Sequence, residues 1–268
     1  MSKLQLKKID FKNMDKRQIF LLAIGALCII IAVVSLLNIL LDYKKADDAY
    51  KEAEKNFVEV YVTPESNDPD APKVPWNEMI SVDMTALKQV NPEAVGWIFF
   101  EDGAISYPIM QASDNSKYLN MTYNGQYTKA GSIFVDATNS GDFSDTHTLI
   151  YGHNMKNLTM FSRLKYYKMV RNHYQGREYF QIHTEDEILR YFIFAYQDVP
   201  ANGFVYNETY TSAKDWASRL LEWSAIHPNV DISDNDKIVT LSTCTSDDDR
   251  RFIVSAVLIE RFSKDSKE

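Results

Sequence analysis

Three residues of this chain have the types and positions that nucleophilic catalysis on a carbonyl carbon requires. Cys244 ends a strand-like run, residues 237–244, and Arg251 opens the next strand-like run after a short polar loop. A thiol at a strand end and beside a cation can be exposed and have a lowered pKa. His153 follows another strand-like run and comes directly after a glycine. A Cys and a His that meet in space make an activated nucleophile, and a nearby Arg can stabilise an oxyanion.

These residue types alone leave other interpretations open. Many domains contain a Cys, a His and an Arg, and a lone cysteine is often a small buried core residue. The second cysteine, Cys28, lies in an apolar N-terminal run, so no disulfide framework is expected. A single cysteine in the soluble part, and no histidine pair with ligand spacing, argue against a zinc site. The sequence therefore predicts no metal and no cofactor.

The distribution of charge argues against one class of partner. The formal net charge is −8, but residues 1–41 hold six of the 29 basic and two of the 37 acidic side chains, which leaves residues 42–268 with −12. A domain this acidic is a poor match to the phosphate backbone of nucleic acid. Nucleic acid is therefore not an expected partner.

An uncharged run near the N-terminus predicts a membrane anchor. Residues 19–41 are 23 residues without a charged side chain, which is long enough to cross a hydrocarbon core of about 30 Å. Basic residues precede the run, so the positive-inside rule predicts a cytoplasmic tail at 1–18 and an extracellular remainder, a single-pass type II topology. Residues 42–75 are charged and then proline-rich, which predicts an extracellular stalk and linker. The folded domain is expected at 76–268.

The domain has the pattern of a mainly β fold. Eight short segments are rich in β-branched and aromatic residues and are bounded by turn formers; they lie at 96–100, 105–110, 132–136, 148–151, 179–183, 189–196, 237–244 and 251–261. Helical candidates lie at about 77–90, 113–119, 158–168 and 212–226. In the last of these, Trp216, Leu220, Trp223 and Ile226 recur at helical spacing, which predicts core packing. Eight strands with few helices favour a closed β-barrel with helical insertions, preceded by the N-terminal transmembrane helix.

Several motifs resemble those of the sortase family. TLSTC at 240–244 resembles the TLxTC signature around the sortase cysteine, and YGHN at 151–154 resembles the segment around the sortase histidine. RFIVSA at 251–256 resembles the strand that begins with the sortase arginine. The similarity covers about residues 77–262 and is closest to class B, including a long segment at about 199–235 that resembles the class B helical insertion.

The resemblance implies a fold, a reaction and partners. The fold would be the eight-stranded sortase β-barrel, on the outer face of a Gram-positive cell. Such cysteine transpeptidases cut a C-terminal sorting signal after its threonine, hold the threonyl group as a thioester and transfer it to an amine. The implied partners are a surface protein or pilin that carries the sorting signal, and a peptidoglycan precursor or a pilin lysine as acceptor.

The resemblance also implies roles for individual residues. By position, Cys244 is the nucleophile, His153 is the general acid and base, and Arg251 stabilises the oxyanion. The implied substrate contacts are Asn115, Leu119, Ser242, Phe204 and Val205, with Phe204 standing where class B relatives carry a tyrosine. Two alternatives remain open: a hydrolytic cysteine peptidase and an inactive surface-binding module on the same fold.

A second arginine lies next to Arg251. Because side chains alternate along a strand, Arg250 and Arg251 are expected to point to opposite faces. The sortase resemblance implies the oxyanion role for Arg251, and Arg250 is then expected on the side of the acidic loop at 247–249.

Overall fold

The computed structural model describes residues 15–61 and 74–264. It divides into two compact units, Met1–Lys44 and Lys45–Glu268. In the first unit the described residues belong mainly to helix α1, Lys16–Phe57, which continues into the second unit. Part of α1 is long and apolar enough to cross a membrane: its mean hydropathy is 3.1 over 18 residues, none of them buried. That segment is a candidate membrane span.

The second unit is built around the closed β-barrel that the sequence predicts. All eight predicted strands are present, as β3 Ala94–Phe100, β4 Ser106–Met110, β5 Ile133–Val135, β6 His147–Tyr151, β7 Tyr179–His183, β8 Glu187–Pro200, β9 Ile238–Cys244 and β10 Arg250–Ser263. The order around the barrel is β10-β8-β7-β3-β4-β5-β6-β9. The pairs β4–β5 and β6–β9 are parallel, and the other neighbouring pairs are antiparallel. Two further strands, β1 Val58–Val60 and β2 Ile80–Val82, form a separate antiparallel pair.

The helices are shorter than the sequence pattern predicts. They are α2 Met84–Val90, α3 Tyr166–Met169, α4 Phe204–Asn207 and α5 Ala213–Leu221, with 3₁₀ turns at Trp76–Glu78, Lys117–Leu119 and Phe161–Lys165. The segment predicted at 212–226 ends at Leu221, so Trp223 is 75% exposed while Trp216 and Leu220 are fully buried. The predicted core stripe is therefore correct in its first half only.

The helical insertion is held against the barrel by a continuous apolar cluster. Trp216 and Leu220 of α5 and Val205 of α4 are buried together with Ile238 and Ile253 of the adjacent strands β9 and β10. Burial of large apolar side chains stabilises such contacts by roughly 1.5–3 kcal/mol each. This packing fixes α4 beside the strand that carries Cys244.

The stalk prediction differs from the structure over residues 45–57. Rather than being solvated, one face of this helical stretch is buried, and its members are Ala46, Ala49, Tyr50, Ala53 and Phe57. They recur three and four residues apart, so they form one stripe of the helix, and three alanines allow a close approach. The compact unit accordingly begins at Lys45 and not at Trp76. Most of the proline-rich linker, residues 62–73, lies outside the described residues.

Candidate active site

The pairing of β6 with β9 brings His153 and Cys244 to the same edge of the barrel. The two strands are parallel, and Tyr151 lies opposite Ser242. His153 and Cys244 each come two residues later, so both emerge at the same level and on the same side. Asn154 reinforces the arrangement, because its Nδ2 donates to the Cys244 carbonyl at 2.9 Å.

Gly152 allows the loop after β6 to pack closely against neighbouring residues of the barrel. Its backbone N–H donates to the Ser242 carbonyl at 3.1 Å. A Cβ on residue 152 would lie 2.5 Å from side-chain atoms of both Ile133 and Phe161. Glycine is therefore the residue that this position accommodates without displacement of its neighbours.

The pairing of β9 with β10 adds the arginine. Arg251 lies directly opposite Cys244 in an antiparallel register, and directly opposed residues project their side chains to the same face. Arg251 Nη1 donates to the carbonyls of Asp248 at 2.8 Å and Arg250 at 2.9 Å. Arg250 turns the other way: its Nη2 donates to the Asp198 carbonyl at 3.0 Å, and it lines a different cavity.

One cavity of about 220 Å³ collects the predicted site residues. Its lining is Asn115, Leu119, Phe134, Tyr151, Gly152, His153, Ser242, Thr243, Cys244 and Arg251. Three of the five predicted substrate contacts, Asn115, Leu119 and Ser242, are in this wall. Cys244 and His153 are both partly exposed, so a substrate can reach them.

Phe204 and Val205 do not line this cavity. Val205 is only 3% exposed and belongs to the apolar cluster beneath the insertion. Phe204 packs edge-on against Trp216, with ring centroids 5.5 Å apart. Val205 thus packs in the interior, whereas Phe204 is partly buried and lines a different cavity.

Tyr206 is the residue of α4 that lies beside the cavity, and the sequence pattern did not identify it. Its hydroxyl is 2.7 Å from Ser242 Oγ, and its ring stacks on that of Tyr151 at 6.4 Å with an interplanar angle of 13°. Burial raises its pKa, so the hydroxyl stays protonated. Phe204 stands where the class B resemblance implies a tyrosine, and Tyr206 follows it two residues later.

A buried carboxylate, Asp136, organises one wall of the cavity. Asn115 Nδ2 and the Tyr151 hydroxyl both donate to Asp136 Oδ2 at 2.8 Å, while the backbone and hydroxyl of Thr138 donate to Oδ1 at 2.9 and 2.7 Å. Burial alone raises the pKa of Asp136, but these hydrogen bonds outweigh it and hold the pKa below its usual value. A charged acceptor therefore fixes two side chains that face the cavity.

The imidazole of His153 is held by a backbone carbonyl. Its Nε2 lies 2.7 Å from the Leu119 oxygen. A carbonyl only accepts hydrogen bonds, so Nε2 carries a proton, and any proton that the ring exchanges is held at Nδ1. Leu119 thus accepts a hydrogen bond from His153 through its backbone carbonyl, and it also lines the cavity.

Two other histidines lie away from this cavity. His183 is fully buried and His147 is half-buried, and desolvation lowers the pKa of each to about 3. Among residues 15–61 and 74–264, no group of three or more His, Cys, Asp and Glu side chains could hold a metal ion.

Comparison with known proteins identifies the family. The profile of the Sortase domain matches residues 101–259, more than half of the chain. The chain belongs to the sortase family. Sortase B of Listeria monocytogenes is 32% identical over 205 residues, which are 72% of this chain and 80% of that protein.

Solved structures of class B sortases have the same architecture as this sortase. Sortase B from Bacillus anthracis in complex with AAEK1 superposes with a TM-score of 0.66 at 28% identity, covering 83% of this chain and all of that one. A Staphylococcus aureus sortase B–substrate complex superposes with a TM-score of 0.61 at 25% identity, covering 66% of this chain and 84% of that one. This sortase is closest to class B, and its barrel with helical insertions is the sortase fold.

Proposed function

We propose that this sortase is a cysteine transpeptidase that cleaves a C-terminal sorting signal after a threonine and transfers the threonyl group to an amine. The observation that carries the proposal is the single cavity lined by Cys244, His153 and Arg251. A thiol, an imidazole and a guanidinium in one cleft are the groups that acyl transfer through a thioester needs.

In the first half-reaction Cys244 gives its thiol proton to Nδ1 of His153, and the resulting thiolate attacks the threonyl carbonyl carbon. The C–S bond forms, and the developing oxyanion is stabilised by the Arg251 guanidinium, a cation with several hydrogen-bond donors. The peptide C–N bond then breaks, and the leaving amine takes a proton from His153. The product is a thioester on Cys244.

In the second half-reaction an amine replaces the cysteine. His153 removes a proton from the incoming amine, which attacks the thioester carbon, so the new C–N bond forms as the C–S bond breaks. The acceptor in this proposal is a peptidoglycan precursor or a pilin lysine. Asn115, Leu119 and Ser242 line the cleft beside the cysteine, which supports a role for them in holding the sorting signal.

Product analysis tests the transpeptidase proposal against the alternatives. Sorting peptides with a single threonine cleavage point are incubated with the full chain, with and without a glycine peptide amine, and the products are identified by mass spectrometry. We expect a ligated product with the amine and slower hydrolysis without it. Hydrolysis alone at saturating amine would make the protein a cysteine peptidase, and binding without turnover would make it a binding module.

We also propose that the N-terminal helix anchors this sortase as a single-pass type II protein. The proposal is supported by the candidate span in α1 and by the basic residues before it. Residues 42–268, including the barrel, would then be extracellular.

Protease accessibility tests this topology. Protease added to intact cells stripped of wall is expected to remove a C-terminal tag and the barrel and to leave only a small N-terminal fragment. A known extracellular protein and a known cytoplasmic one serve as controls. Protection of the barrel while the extracellular control is digested would contradict a type II orientation.

A further inference from the structure

The buried face of α1 packs against the loop that carries Leu119. Tyr50 is 7% exposed, and its ring lies edge-on to Tyr107, with centroids 5.3 Å apart, and 6.0 Å from the ring of Tyr123. Lys45 donates from Nζ to the carbonyl of Tyr127 at 3.1 Å. This end of α1 therefore packs on β4 and on the segment that follows Leu119.

The hydroxyl of Tyr50 makes the central polar contact of this packing. It donates to the Gly131 carbonyl and lies 3.1 Å from Ser132 Oγ. Burial raises the pKa of Tyr50, so the hydroxyl remains a donor at neutral pH. Without this hydroxyl, the buried Gly131 carbonyl would lose its hydrogen-bond donor. An unpaired buried acceptor lowers the free energy of unfolding.

The segment that Tyr50 holds lies directly against the backbone of Leu119. Ser132 N donates to the Tyr118 carbonyl at 2.9 Å. Gly131 has a φ of +56°, and a Cβ there would lie 2.5 Å from the Leu119 carbonyl oxygen. That oxygen is the one that contacts His153 Nε2. A shift of Gly131 would therefore be transmitted to the partner of the histidine.

A second path joins Tyr50 to the other side of the histidine. The hydroxyl of Tyr107, whose ring Tyr50 contacts, accepts a hydrogen bond from the Met160 N–H at 3.1 Å. The next residue, Phe161, donates from its backbone to the His153 carbonyl at 3.1 Å. Tyr50 thus supports both the acceptor of the imidazole and the loop that carries it.

We propose that Tyr50 is a positioning residue for His153, so that the helix leading from the candidate membrane span into the domain is part of the support of the active site. The inference rests on the proposed function, because it concerns the geometry of the proposed acid and base. Misplacement of a reacting group by about 1 Å can cost on the order of 10²-fold in rate. Loss of the Tyr50 hydroxyl is expected to lower the rate by less than this factor, because the ring remains packed.

The kinetic test compares two tyrosines that differ in what they support. Tyr50→Phe removes the hydroxyl and keeps the ring. Tyr167→Phe is the matched control, because Tyr167 is 5% exposed and its hydroxyl also donates to a backbone carbonyl, that of Arg177, at 2.6 Å. In the full chain in detergent, we expect Tyr50→Phe to lower kcat for peptide cleavage about tenfold with KM within about twofold. The control should stay within about twofold of wild type in both.

A spectroscopic measurement distinguishes a change in the hydrogen bonding of His153 from a loss of protein stability. It also does not depend on the proposed reaction. Histidine-selective ¹⁵N NMR reports which ring nitrogen carries the proton, and the His153 signal is identified by its loss in His153→Gln. We expect the Nε2–H form in wild type and in Tyr167→Phe, and a mixture of tautomers in Tyr50→Phe.

Each outcome decides the inference. Equal loss of kcat in both tyrosine variants, or an unchanged His153 signal in Tyr50→Phe, would overturn it. If wild type cleaves no sorting peptide, the proposed function fails and the His153 signal alone decides: a changed tautomer supports positioning by Tyr50, and an unchanged one refutes it.

Discussion

Replacing Cys244 with alanine is expected to lower sorting-peptide cleavage and transfer by at least about 10³-fold, because no other side chain in the cavity can form the thioester. Cys244 is partly exposed at the end of β9, so a smaller side chain leaves no buried cavity, and we expect an unchanged melting temperature. Steady-state cleavage of one sorting peptide and thermal unfolding of the same preparation measure the two quantities.

The second cysteine provides the control. Cys28 is exposed on the apolar part of α1, and Cys28→Ala is expected to keep wild-type activity. Retention of even a tenth of the wild-type rate in Cys244→Ala, once contamination is excluded, would remove Cys244 from the mechanism.

Replacing Arg251 with alanine is expected to lower kcat/KM by about 10²–10³-fold, which is the typical cost of removing one donor to an oxyanion. Arg251 lies opposite Cys244 across the β9–β10 pair and lines the cavity. Arg251→Lys should recover only part of the activity, since an ammonium lacks the planar fork of donors.

The neighbouring arginine is the matched control for this experiment. Arg250 has the same charge and lies one residue away, but it donates to the Asp198 carbonyl and lines another cavity. We expect Arg250→Ala to lower kcat/KM by less than about tenfold. Loss of an oxyanion donor typically costs at least about 10²-fold in rate, so the two roles are distinguishable. If Arg250→Ala were the crippled variant and Arg251→Ala near normal, the proposed oxyanion role would belong to Arg250.

The local pattern of the sequence was sufficient to predict the strands. Runs of β-branched and aromatic residues bounded by turn formers located all eight barrel strands, and alternation along a strand gave opposite faces to Arg250 and Arg251. The meeting of His153 and Cys244 could not be derived in the same way. It depends on the parallel pairing of β6 with β9, between segments about 90 residues apart, whose register no local pattern encodes. Only the family resemblance predicted that these two side chains lie close together.

The differences between prediction and structure have two physical causes. Residues 45–57 are rich in charge, and composition predicted a solvated stalk, but five small or aromatic residues on one face decided the packing. In α4, a helix of only four residues, the faces are set by contact with the barrel. Val205 turns inward, Phe204 packs against Trp216 and Tyr206 reaches Ser242, an outcome that no periodicity could predict.

The proposed mechanism requires that Cys244 carry the threonyl group as a thioester, and this intermediate can be trapped. The full chain is mixed with excess sorting peptide in the absence of an amine, quenched in acid within seconds and digested for mass spectrometry. We predict an added mass equal to the peptide up to and including its threonine, located on the fragment that contains Cys244 and released by hydroxylamine. Turnover of the peptide with no adduct on Cys244, or with an adduct on another residue, would contradict the mechanism.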